Sequence, residues 1–256
     1  MSNQFAKACA VILGTAFVTA ASPVHGQTPA CVVHEDLTRF DFPLQRAAQD
    51  IAAGKPFRIG AFASSTTSGA GASHPTLTYP AQLETKLRVR FPHADITVIN
   101  RGKGGDTNAH MLERVEEIIK ERPQLVLFQT GANEVLKDLP LAEAQTQMLQ
   151  ILTRLRLLGI DVVMVDNQSA PKMNEKASSA VVQMSVDSAA YDFGLPQMKR
   201  RELMRRWNET NGLSYSVTLA PDGYHMTDWS YGCFAENFAR GITNAIQRPP
   251  VVAFRF

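Results

Sequence analysis

Four short apolar runs set what this chain can fold into: Phe57–Ala63 (FRIGAFA), 95–100 (DITVIN), 125–130 (LVLFQT) and 161–167 (DVVMVDN). They are rich in β-branched and aromatic residues and do not alternate strictly between apolar and polar. A continuous run suits a strand covered on both faces, whereas a strand with one wet face shows a period of two. Between the runs, apolar residues recur at helical spacing. Leu83, Leu87 and Val89 do so within 79–91, and Met111, Val115, Ile118 and Ile119 within 108–121. The longest segment, 142–158, carries Met148, Leu149, Ile151, Leu152, Leu155 and Leu157. Two further helices are predicted over 185–211, broken near Gly194-Leu195-Pro196, and over 228–246. Alternating strands and helices imply right-handed crossovers and a parallel sheet. One compact α/β domain is expected over 27–256, with a short N-terminal arm.

Residues 1–26 read as a secretory signal peptide rather than as part of that domain. Lys7 is their only charge, an apolar run extends from 8 to 21, and Val24-His25-Gly26 supplies small residues near a cleavage point. The run is short for a bilayer, and no later stretch of about 18 apolar residues follows. An uncleaved N-terminal anchor is the competing reading. Export to the periplasm or the extracellular space is expected, without stable membrane insertion.

The segment carries one of the 26 basic residues and none of the 24 acidic ones, which leaves a formal net charge of +1 after its removal. Near-neutrality gives no electrostatic case for a nucleic-acid partner. Cys9 leaves with the signal, so Cys31 and Cys233 remain. In an oxidising compartment they can form one disulfide that ties the arm to the last predicted helix. No Cys/His cluster of zinc type is present. The basic stretch Lys199-Arg200-Arg201-Glu202-Leu203-Met204-Arg205-Arg206-Trp207 reads as a solvated helix face whose Leu203, Met204 and Trp207 cover the core. Binding of a membrane surface or an acidic polymer is the alternative.

Open parallel sheets bind ligands at the C-terminal ends of their strands. After the first run comes Ala63-Ser64-Ser65-Thr66-Thr67-Ser68-Gly69-Ala70-Gly71-Ala72. A phosphate loop does not fit it, because the Walker lysine is missing and position 74 is His74 where a third dinucleotide-loop glycine would stand. After the second run comes Asn100-Arg101-Gly102-Lys103-Gly104-Gly105-Asp106-Thr107, a glycine-rich turn whose N–H groups can face an anion. After the third, Thr130-Gly131-Ala132-Asn133-Glu134 offers a side-chain amide. After the fourth, Asp166-Asn167-Gln168-Ser169-Ala170-Pro171 is polar and reads equally as a pocket border or a plain surface loop. Near the C-terminus, Asp222 stands three residues before His225, a spacing that lets a carboxylate orient an imidazole. Singly, each of these segments also reads as an ordinary turn or cap.

Taken in order, the Ser65, Gly105, Asn133 and Asp222/His225 blocks resemble the SGNH/GDSL hydrolase family over roughly 57–246. The family's Gly-Asp-Ser corresponds to Ala63-Ser64-Ser65, and its following Thr and Gly correspond to Thr67 and Gly69. Ala63 replaces the usual glycine, Ser64 the usual aspartate, and Glu134 a position where Asp is common. The resemblance implies a flavodoxin-like three-layer α/β/α sandwich. It also implies a nucleophile at Ser65, a base at His225 oriented by Asp222, and an oxyanion hole from Ser65, Gly105 and Asn133. The expected activity is a serine esterase acting on carboxylic esters with short acyl or acetyl groups, in small molecules or polysaccharides, with no metal and no cofactor. A non-catalytic acyl- or sugar-binding module and an acyltransferase to a sugar acceptor are the alternatives. The other large serine-hydrolase architecture fits less well: no Gly-x-Ser-x-Gly elbow occurs, and its Asp-to-His spacing is longer. Oligomeric state is not legible in the sequence.

Overall fold

The computed structural model describes residues 28–248; the predicted signal peptide lies outside them. Five parallel strands form one sheet: β1 (Phe57–Ala63), β2 (Ile96–Gly102), β3 (Leu125–Gln129), β4 (Asp161–Val165) and β5 (Gln197–Met198). Their order is β2-β1-β3-β4-β5, the flavodoxin-like arrangement, in which the order of strand addition reverses between β1 and β3 while all strands stay parallel. The expected fold class is therefore present. Register pairs Phe62 with Phe128 and Ala63 with Gly102, so the strand ends that carry the polar loops lie level.

β1, β3 and β4 are buried almost throughout, as their continuous apolar runs require. β2 departs from expectation. It is an edge strand, and Thr97, Asn100 and Arg101 along it are exposed. Helices cover the sheet in two groups. Tyr79–Arg90 packs with Asp228–Gln247, and Asn108–Glu113 packs with Leu141–Leu157. The core between helices and sheet holds Tyr79, Phe234 and Phe238, whose rings meet edge-on or tilted, and the cross-strand pair Phe62 and Phe128, with centroids 6.1 Å apart.

Two predicted helices are divided. The segment 108–121 splits at Arg114 (φ −110°, ψ 13°), because that side chain turns inward beneath the loops of the sheet edge. The segment 185–211 becomes Ser178–Asp192 and Arg200–Glu209, with β5 between them. Gly194, at φ +63°, closes the first helix, and a strand of two residues leaves no periodicity to read. Leu203, Met204 and Trp207 are buried, while Arg205 and Arg206 pair with Glu202, Glu209 and Asp36 outside. Arg200 departs from the solvated reading of that stretch: it is fully buried and donates to the carbonyl of Asp166 at 2.8 Å.

The N-terminal arm is held to the last helix. Cys31 and Cys233 form a disulfide, the Trp229 ring N–H donates to the Pro29 carbonyl at 2.6 Å, and the His34 N–H donates to the Asn237 side chain at 3.1 Å.

Candidate active site

Ser65 follows β1 by two residues, at the point where the strand order reverses. It opens a one-turn helix, Ser65–Ser68, which Gly69 ends at φ +104°. As the first helical residue it has no intrahelical acceptor for its N–H, which is left available. Ser64 is only 4% exposed, so of the two adjacent serines Ser65 is the one presented at the surface. The next two residues anchor the turn. Thr67 bonds to the Tyr79 hydroxyl at 2.9 Å, and the Thr66 hydroxyl donates to the Gln168 carboxamide at 3.2 Å.

The loop after β2 reaches the same edge. Lys103 N–H donates to Ala63 C=O at 3.0 Å, and Gly105 sits at φ +80°, a conformation that favours glycine. Arg114 fastens this loop from below. Its guanidinium pairs with the buried Asp106 at 2.5 Å and donates to Arg101 C=O at 2.9 Å and Ala63 C=O at 3.0 Å, while lying 4.5 Å above the Phe62 ring. One cation thus ties the ends of β1 and β2 to the glycine turn, in a five-donor fork that lysine could not reproduce.

Asn133, after β3, is buried, and its Nδ2 donates one hydrogen to Asp106 C=O at 2.7 Å. The second hydrogen of that amide remains for a ligand. Glu134 is tied to the start of the helix after the glycine turn. One of its oxygens accepts the Asn108 N–H at 2.5 Å, the other has no partner, and burial pushes the carboxyl above its ordinary range.

The Asp222–His225 turn closes the site. Asp222 Oδ1 accepts the backbone N–H groups of Tyr224 and His225, each at 2.9 Å, which fixes the turn around the carboxylate. Its Oδ2 receives His225 Nδ1 at 2.5 Å, and His225 Nε2 lies 2.8 Å from Ser65 Oγ. Burial acts to raise the Asp222 carboxyl, but the hydrogen bonds from the His225 ring and from the two N–H groups outweigh it, bringing it down to about 2. With Nδ1–H given to a fixed carboxylate, Nε2 faces the serine as an acceptor. Gly71, at φ +90°, permits the approach: a Cβ there would meet Met226 C=O at 2.6 Å and His225 Cβ at 3.0 Å.

Ser65, Asp222 and His225 are therefore brought together, although 160 residues separate the hydroxyl from the ring. Gly105 and Asn133 are tied into the same edge through Asp106. Three contributors escaped the sequence reading: Asp106, Arg114 and Gln168. The first two carry no signal beyond an i, i+8 charge pair. Gln168 lies in the loop after β4, which borders a cavity through Asp166 and is not a plain surface loop. Every residue from Asp166 to Ala170 is buried, and the Gln168 amide donates to Tyr224 C=O at 3.3 Å while accepting from Thr66. Among the described residues, no group of three or more His, Cys, Asp or Glu side chains is placed to hold a metal, and no helix is long and apolar enough to cross a membrane.

A 2-1-3-4-5 parallel sheet with Ser65, Gly105 and Asn133 on the loops after β1, β2 and β3, and with His225 brought to the same edge, has the architecture of the SGNH-type fold. Residues 30–248 match the sequence model of the non-GDSL lipase-like family, and the chain belongs to that family. Among curated proteins it is similar to an arylesterase of Vibrio mimicus, 29% identical over 85 residues, which is 33% of this chain and 42% of that one. Among solved structures it resembles a two-domain esterase active on acetylated mannans, with TM-score 0.68 and 19% identity over 83% of this chain and 56% of the other. It also resembles an SGNH-hydrolase family esterase, with TM-score 0.51 and 26% identity over 63% and 84% of the two chains. The chain thus spans less than two thirds of the arylesterase and of the mannan esterase.

Proposed function

We propose that this protein is an exported serine esterase that removes acetyl or other short acyl groups from carboxylic esters, with a carbohydrate as the alcohol part. The observation that carries the reading is the chain Ser65 Oγ, His225 Nε2, His225 Nδ1, Asp222 Oδ2, with steps of 2.8 and 2.5 Å. His225 takes the Ser65 proton as the oxygen attacks the carbonyl, and Asp222 stabilises the charged ring. The Ser65 and Gly105 N–H groups and the free hydrogen of the Asn133 amide receive the oxyanion. Collapse of the tetrahedral intermediate expels the alcohol, which takes its proton from His225 and leaves an acyl-Ser65 ester. Water, deprotonated by His225, then adds to that ester and releases the acid and the free serine.

Small residues around Ser65 support short acyl groups, and the mannan esterase relative supports a saccharide ester. The Cys31–Cys233 disulfide supports export to an oxidising compartment.

Ser65→Ala is expected to lower turnover of p-nitrophenyl acetate by about three orders of magnitude or more with an unchanged melting curve. A fluorophosphonate probe should label Ser65 in the wild-type protein, which a non-catalytic binder would not allow. Near-normal turnover by Ser65→Ala overturns the assignment. An ester panel of rising chain length checks the acyl preference, and sequencing the N-terminus of the protein recovered outside the cytoplasm checks export.

A further inference from the structure

A cavity of about 640 Å³ opens beside β5, and neither Ser65 nor His225 lines it. Its volume is in the range of ligand sites, on the order of 300–1,000 Å³. Asp166, 3% exposed, lies at its base, where the carboxyl accepts the Arg201 N–H at 2.9 Å. On the wall, Asp187 Oδ1 receives the carboxamides of Gln183 at 2.8 Å and Gln197 at 2.6 Å. Both amide planes are thereby fixed, and the buried Gln183 Oε1 is left without a donor. Tyr191 stands at the mouth with 78% of its surface exposed, and Phe42 and Leu195 add apolar area.

The charges lining the cavity do not select an ion. Four carboxyl groups (Asp41, Asp166, Asp187, Glu202) face three cations (Lys199, Arg201, Arg205), and Arg205 is already paired with Glu202. What remains is a set of rigid planar donors and acceptors beside an exposed aromatic ring. Such a set suits a neutral ring that carries hydroxyls around its edge and C–H groups on its faces. We infer that this cavity is an accessory binding site for a neutral saccharide, which holds the polymer whose ester is cleaved at Ser65; the inference rests on the esterase reading above. The β4 loop links the two places. Asp166 lies under the cavity, and Gln168, at most ~7 Å further along the chain, touches the residues beside Ser65 and His225.

The test titrates Ser65→Ala protein with unsubstituted mannan and xylan pentasaccharides by calorimetry, so that binding is read without turnover. Millimolar or tighter binding is expected. Tyr191→Ala and Gln183→Ala, each introduced separately, are expected to weaken it by about tenfold or more, which is 1.4 kcal/mol. In the background with Ser65 intact, p-nitrophenyl acetate turnover should be unchanged by either substitution. No heat at millimolar sugar overturns the proposal. So does binding that neither substitution weakens, which would place the sugar elsewhere, or a preference for an oligouronate over neutral sugars. Turnover and fluorophosphonate labelling of the Ser65 protein report the esterase reading independently, so the two failures are distinguishable.

Discussion

Gln168 offers the sharpest test of how this site is held together. Its side chain is fully buried; it accepts from Thr66, the neighbour of Ser65, and donates to the carbonyl of Tyr224, the neighbour of His225. One amide therefore sets the relative position of two segments that only tertiary structure brings together. Gln168→Met keeps the length and removes both bonds. The Tyr224 carbonyl loses this buried donor, at a cost of about 1–3 kcal/mol. If that energy is released by the turn shifting away from Ser65, kcat falls about 10- to 100-fold while KM moves little. Gln168→Glu separates positioning from mere stability. Burial raises the new carboxyl's pKa, and only its protonated form can donate to Tyr224 C=O while accepting from Thr66. The penalty is absent at low pH and appears as pH rises through that raised value. The ratio of Gln168→Glu to wild-type kcat should accordingly climb as pH falls from about 8 to 5, while the Gln168→Met ratio stays flat. Taking ratios cancels the acid response of His225, which both proteins share. Steady-state kinetics with p-nitrophenyl acetate, paired with thermal melts, supplies every quantity. A Met variant that melts earlier yet keeps wild-type kcat, or a Glu ratio that does not change with pH, would refute the argument.

Three further outcomes follow from the same geometry. Asn133→Ala should lower kcat by about a hundredfold, ~3 kcal/mol, with a smaller change in KM, because the lost donor acts on the charged intermediate; an effect confined to KM in ester kinetics removes Asn133 from that role. Reduction, or Cys31→Ser with Cys233→Ser, opens a link between residues 202 apart and should cost up to about 5 kcal/mol in denaturant unfolding, with no loss refuting a constraint on the unfolded chain. Burial raises the Asp166 carboxyl to about 7, so its contribution to stability is complete below the unfolded value near ~4 and is lost as pH rises through about 7. Thermal melts should fall across that window and lose this dependence in Asp166→Asn, which keeps an oxygen for the Arg201 N–H; an unchanged slope assigns the effect to another group.

The strands β1, β3 and β4 were legible because burial on both faces imposes an apolar run that needs no knowledge of the partner. The glycine turn before Asn108, the Gly131 turn and the Asp222–His225 turn were legible for a similar reason: local backbone demands restrict which residues can stand there. By itself the sequence thus determined the buried strands and the polar loops that follow them, and its resemblance to a known family supplied the roles of the candidate reacting groups. The edge position of β2, the two-residue β5 and the break at Arg114 were not legible, since each depends on what lies across space. The same holds for Gln168, whose partners are 102 and 56 residues away, and for the Cys31–Cys233 link, where composition supplies the thiols but not their approach. Only packing decided those contacts. Local pattern records what a residue must avoid, water or a strained turn, whereas a hydrogen bond between distant segments forms only once the core has fixed both of its ends.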